Sequence, residues 1–251
     1  AAFSGCLARP IWAEDGILTW DLIAPQVRGR SDHRARTGLI SLENTSNLAG
    51  GSVYPVEVSD EICDRAHALG LPMHLDGARI FNAAVALGRP VVELTRKFDS
   101  VMFCLSKGLG APVGSMLVGS KEFFEEARLV RKMLGGGMRQ VGVLAAAGIV
   151  ALETMRERLA EDHDNARALA AALASIPDLS LDVPPLLTNI IYVKVAGSPW
   201  RNREIVAALR SHGVLCNAVG DDRMRFVTHH GITRADIETT VAAMSRAAEA
   251  C

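Results

Sequence analysis

Two short apolar runs in this chain each lead into a group able to do chemistry: Met73-His74-Leu75-Asp76 ends in a carboxylate, and Val101 to Leu105 continues into Ser106-Lys107. A lysine amine can capture the aldehyde of pyridoxal phosphate covalently. An aspartate beside the pyridine nitrogen keeps that ring protonated, so that it accepts the electrons of a bond breaking at a substrate Cα. The stretch from Asp76 to Lys107 accommodates one strand end, a crossover helix and the next parallel strand. Both groups then emerge at one sheet edge, where open α/β sheets bind ligands. Either residue alone would read as a surface lysine or a helix-capping aspartate; the pair in these two contexts favours a joint site.

The elements that position them follow from periodicity. Residues 1 to about 155 alternate short apolar strands (Gly38 to Leu42, Pro72 to Leu75, Val101 to Leu105, Ser115 to Val118) with helix-length segments, the pattern of a mostly parallel sheet covered by helices. A long charged helix, roughly Met155 to Ala174, leads to a remainder with strands at Asn189 to Val195, Val214 to Asn217 and Met224 to Val227 and helices at Arg203 to His212 and Arg234 to Ala250. The expectation is an α/β protein with a large domain over 1–155 and a smaller α+β domain over 156–251. The longest apolar stretch, Val141 to Leu152, stops at Glu153, too short to cross a bilayer, and reads as a buried helix.

These residues carry a resemblance. The Ser41-Leu42-Glu43-Asn44-Thr45 run, His74-Leu75-Asp76-Gly77-Ala78-Arg79, Leu105 to Ser115 and Arg131-Lys132-Met133-Leu134-Gly135-Gly136-Gly137-Met138-Arg139-Gln140 are similar to the threonine aldolases of the aspartate-aminotransferase-like, fold type I, pyridoxal phosphate superfamily, with a weaker match reaching Arg225 to His229. The resemblance implies pyridoxal 5'-phosphate on Lys107, paired with Asp76, and cleavage of L-threonine, L-allo-threonine or a related β-hydroxy-α-amino acid to glycine and an aldehyde. Another fold type I activity, β-elimination or transamination, needs the same lysine and aspartate. A catalytically inactive subunit is a third alternative.

Arg79, just past the strand end, can donate to the cofactor's phenolic oxygen or to a substrate carboxylate, or else form a surface ion pair. A glycine triplet such as Gly135 to Gly137 is often only a turn, but its backbone N–H groups can approach an anion. In the resembled family the residues matching Arg139 and Lys132 hold the cofactor phosphate. The resemblance likewise makes Arg225 the binder of the α-carboxylate, against the reading of an edge-strand arginine. His33 matches a family histidine near the substrate β-hydroxyl, whose proton must leave in retro-aldol cleavage; a solvated loop histidine is the other reading. His74 shares strand parity with Asp76 and is expected beneath the cofactor. His67, His163, His212, His229 and His230 read as structural. Ser46 stands where the family commonly has histidine, which bears on rate and on the β-substituent. The resemblance begins downstream of the family's Ser-Gly-Thr phosphate turn and stacking histidine, so this stretch alone is expected to hold the cofactor weakly. It also implies a homotetramer of dimers that share active sites.

Composition excludes other classes. A formal net charge of -1 with 22% charged residues offers no footprint for nucleic acid. Cys6, Cys63, Cys104, Cys216 and Cys251 are scattered without metal-ligand spacing and read as reduced thiols of a cytoplasmic enzyme.

Overall fold

The computed structural model describes residues 3–182, 184–185, 187–197 and 199–250. The described residues form two four-stranded sheets. The chain enters through a short helix α1 (Trp20–Ile23) and then builds the first sheet from β1 (Ile40–Glu43), β2 (Met73–Asp76), β3 (Ser100–Cys104) and β4 (Ser115–Gly119), in that spatial order. The first three strands run parallel, and β4 turns back antiparallel against β3. Parallel neighbours need crossovers. These are α2 (Val56–Ala68) between β1 and β2, and the pair α3 (Ile80–Leu87) and α4 (Val91–Thr95) between β2 and β3.

Why α2 forms and docks is legible in its spacing. It starts behind Pro55, and its buried residues Ser59, Ile62, Cys63 and Ala66 recur at helical intervals that make one stripe. That stripe packs on Ile40, Leu42, Met73 and Leu75, while Ile80, Ala83 and Leu94 close the same core. Leu75 is 2% exposed, so Leu75→Ala removes about 2–5 kcal/mol of stability through lost transfer energy and a residual cavity.

After β4 come α5 (Lys121–Met133), α6 (Gly142–Thr154) and α7 (Leu159–Leu173). The second sheet is antiparallel, with order β5-β6-β8-β7: β5 (Leu179–Asp182), β6 (Ile190–Val195), β7 (Asn217–Val219) and β8 (Arg223–Val227). Helices α8 (Pro199–Ser211) and α9 (Arg234–Ala250) join α7 in covering it, around a second core that includes Leu173, Ile191, Val193, Ile205, Leu209, Met224 and Met244.

The structure departs from the sequence expectations at four places. Val141 to Leu152 is helical but not buried: Val143 is 74% exposed, Ile149 and Val150 lie open, and only Gly148 and Ala151 of α6 are buried. Apolar composition predicts that a face will be covered, and nothing within the described residues covers this one. The strand expected at Val214 to Asn217 begins only at Asn217, because Gly213 and Val214 are used to end α8, where the Val214 N–H donates to the Leu209 carbonyl at 3.0 Å. The four-residue β5 has no counterpart among the expected strands, since its alternation is too short to stand out. Helix α7 starts at Leu159 rather than near Met155.

Candidate active site

In register, Glu43 at the end of β1 lies beside Asp76 at the end of β2, and Asp76 lies beside Met102 of β3. Because these strands are parallel, both carboxylates and the turn that follows β3 fall on the same carboxyl edge. Lys107 sits on that turn, exposed, with its carbonyl accepting from the Gly110 N–H at 2.9 Å. Asp76 is half-buried, and its Oδ1 accepts from the Ala78 N–H at 3.1 Å, which fixes the carboxylate just where the chain leaves the strand. The exit is tight: the Gly77 N–H donates to the Met102 carbonyl at 2.7 Å, and a Cβ on Gly77 would come within 2.9 Å of that same oxygen, so only glycine fits.

Arg79 is half-buried next to this edge. Burial lowers its proton affinity and the facing Arg225 lowers it further, while Glu43 favours the charge. The two guanidiniums therefore share one field although Arg79 precedes α3 in the first half of the chain and Arg225 lies in the second sheet. Arg225 is carried on β8, and its Nη2 donates to Asn47 Oδ1 at 2.8 Å, tying the second sheet to the loop after β1. Among the described residues, six buried side-chain atoms have no hydrogen-bond partner; Asn44 Oδ1, Thr45 Oγ1 and Arg225 Nε lie at this edge, and Asn189 Oδ1, Arg201 Nε and Asn202 Oδ1 lie elsewhere. Unpaired buried polar groups are costly, and three of them around one edge mark a place shaped for a polar ligand.

Glu43, in the Ser41 to Thr45 run, is a further member of this edge. Loss of hydration raises its carboxyl above the ordinary range; the Asn47 N–H opposes this, Asp76 adds to it, and Arg79 and Lys107 oppose it. Its interaction with all three candidates places it in the same constellation. The signal available in sequence was its position at the end of an apolar strand. His74 shares a face with Asp76, as its parity required; its Nδ1 lies 2.8 Å from Ser100 Oγ, and burial lowers its proton affinity against the pull of Asp76.

The remaining candidates lie apart from this edge. His33 is on an exposed loop, its ring 81% exposed and its Nε2 3.2 Å from Asp32 Oδ1. Lys132, near the end of α5, and Arg139, in the loop that follows, are exposed. His67 pairs with Asp99 at 2.9 Å, and His163 is buried against Asn82, partners that sequence alone did not reveal.

The mostly parallel sheet, its covering helices, and a lysine and an aspartate at the carboxyl edge define an α/β protein of the aspartate-aminotransferase-like, fold type I class. The Leishmania major threonine aldolase structure has the same fold, with a TM-score of 0.77 at 20% identity over 93% of this chain and 68% of that one. The chain belongs to the beta-eliminating lyase family, whose model matches residues 1–196. The resemblance to threonine aldolases is borne out in its relatives. The chain is 44% identical over 234 residues to the low specificity L-threonine aldolase of Escherichia coli (strain K12), covering 92% of this chain and 66% of that protein. It is 41% identical over 237 residues to low-specificity L-threonine aldolase 1 of Arabidopsis thaliana, covering 93% and 66%. The chain thus spans just under two thirds of the length of these relatives.

Proposed function

We propose that the protein is a pyridoxal phosphate-dependent aldehyde-lyase that cleaves L-threonine, L-allo-threonine or a related β-hydroxy-α-amino acid to glycine and an aldehyde. The observation that carries this is the convergence of Lys107, Asp76, Arg79 and Arg225 on one edge, around three buried polar atoms without partners. That donor set fits pyridoxal phosphate: an amine for its aldehyde, a carboxylate for its ring nitrogen and a guanidinium for its phenolic oxygen. When bound, the cofactor supplies an electron sink for the bond broken at the substrate Cα.

The chain's own residues do the rest. Arg225, with Arg79, holds the α-carboxylate and so orients the Cα–Cβ bond. His33 takes the β-hydroxyl proton, in keeping with the family match. Lys132 and Arg139 serve the cofactor phosphate of a neighbouring subunit in a homotetramer of dimers, a reading supported by their outward position and by the exposed apolar side chains around them, Leu129, Met133 and Val143 among them. We place the division between the large and small domains near residue 155, a short way before Ala166, the first residue of the second core, and the protein in the cytoplasm. No helix of the described residues is long and apolar enough to cross a membrane.

The test is absorbance and product analysis. The protein incubated with pyridoxal phosphate should gain a visible band that Lys107→Ala abolishes, and threonine should yield aldehyde and glycine in equal amounts. Borohydride trapping of the cofactor on another lysine would overturn the assignment. The family description favours β-elimination as the second reading; a 2-keto acid and ammonia in place of aldehyde would establish it.

A further inference from the structure

We infer that the hydrogen bond between Asn82 on α3 and His163 on α7 is a positioning contact that sets the turn carrying Lys107 against the strand carrying Arg225. Both side chains are 2% exposed, and Asn82 Nδ2 lies 3.1 Å from His163 Nε2. Asn82 is the one polar residue in the Ile80–Leu87 helix, so packing alone does not call for it. Two apolar residues could fill the same space at no loss of stability, since a buried polar pair gains little over an apolar pair of the same shape. What the polar pair adds is a fixed distance and direction between two helices.

Helix α3 reaches the Lys107 half of the site, and α7 reaches both halves. Next to Lys107, a Cβ on Gly108 would lie 2.8 Å from Leu159 Cδ2 and 3.4 Å from Asn82 Oδ1, so the backbone beside Lys107 rests on the first turn of α7 and on Asn82 itself. On the other side, the carbonyl of Asp162, the residue before His163, accepts from Thr228 Oγ1 at 2.6 Å. Thr228 directly follows β8 and is held in turn by Asn189, whose Nδ2 donates to its carbonyl at 2.9 Å. Asn165 donates to the Ile232 carbonyl at 2.9 Å, binding the next turn of α7 to the same segment. The first turns of α7 therefore touch both the Lys107 turn and the far end of the Arg225 strand, and the Asn82–His163 bond sets where α7 lies on α3. Burial pushes the His163 imidazole down to about 4, so it remains a neutral acceptor for the Asn82 amide over the working range of pH.

This inference rests on the proposed function for its consequence: an amino acid whose amine must take the place of the Lys107 amine on the cofactor while Arg225 holds its carboxylate is sensitive to the separation of the two. The experiment has two arms. In the first, amide hydrogen exchange is measured on the protein without cofactor. Asn82→Leu and His163→Leu should speed exchange together at residues 105–111 and 226–232, two segments far apart in sequence, whereas changes confined to α3 and α7 would overturn the coupling. In the second, glycine is titrated against the cofactor-loaded protein by absorbance. Both variants should retain the cofactor band and weaken glycine about tenfold. His163→Gln, whose amide oxygen can accept the same bond, should return toward the parent, and the double leucine variant should be no weaker than either single one. Glycine affinity within twofold of the parent, with only the melting temperature lowered, would reduce the pair to a structural contact. Should the leucine variants fail to fold, Asn82→Ala read against His163→Gln makes the same comparison. A parent protein with no cofactor band would instead break the proposed function, while the exchange arm still decides the coupling.

Discussion

The stretch from β1 to the Lys107 turn and the stretch from β4 through α6 use similar ingredients, short apolar strands and helices of five to thirteen residues, and end in opposite states. In the first, strands β1 to β3 sit over a core in which Ile62, Cys63, Ala66, Met73 and Ala83 are fully enclosed. In the second, every residue of β4 is exposed and α5 buries none of its residues. Chemistry separates in the same way. The closed stretch supplies Asp76, Arg79 and Lys107 to one edge, while the open stretch points Lys132 and Arg139 into solvent, beside apolar side chains that water does not favour. The lesson is that an enclosed core fixes a site's geometry within one chain, whereas an apolar surface left open by that chain calls for a partner, which under the proposed function is a second copy that receives those two cations. A patch of this kind is uncommon on a protein that works alone.

The largest effect is expected at His33, which belongs to neither stretch: if it serves the β-hydroxyl proton, His33→Ala lowers kcat by roughly 10² to 10⁴ and leaves glycine binding intact, since glycine has no hydroxyl to lose. Turnover at the parent rate would remove His33 from the site and leave the closed edge as its only source of catalytic groups. Next is Arg225, held by the closed edge through Asn47. Arg225→Ala removes charge-assisted hydrogen bonds and should weaken glycine and threonine alike, by roughly 10- to 100-fold. A loss seen with threonine alone would mean that Arg225 reads the side chain rather than the carboxylate.

The open stretch is tested by Val143→Asp on α6. At 74% exposure this change costs the monomer little, but it buries a charge in any interface formed there. Sedimentation should show smaller species, and cofactor affinity should fall with them as the neighbour's Lys132 and Arg139 withdraw. An unchanged oligomer would move the interface elsewhere. The smallest effect concerns pH. His163 binds its proton less readily in the fold, at about 4 against an ordinary 6.5, so the unfolded chain takes up more protons between those values. Its contribution to stability is full above about 6.5 and is lost as pH falls toward 4, by at most about 3 kcal/mol. The melting temperature should decline over that window, and His163→Gln should flatten the decline. A parent curve that is flat from pH 7 to 4 would contradict the buried, neutral imidazole.

What the sequence determined by itself is local or periodic. The alternation of apolar runs with helix-length segments led to the mostly parallel sheet, and the placement of Asp76 and Lys107 at the ends of such runs brought both to one edge because parallel strands all finish on the same side. The family motifs added Arg225, which no spacing argument could have joined to Asp76. The rest depends on packing between segments far apart in the chain. Glu43, marked in the sequence only as the end of an apolar strand, is joined to Asp76 by strand register, and Asn47 enters the site through a contact across 178 positions that no linear pattern records. His163, which looked partnerless on its helix, is paired with a residue 81 positions away. The apolar helix expected inside lies outside for the same reason: hydrophobicity states that a surface should be covered, and packing alone states by what and from which side.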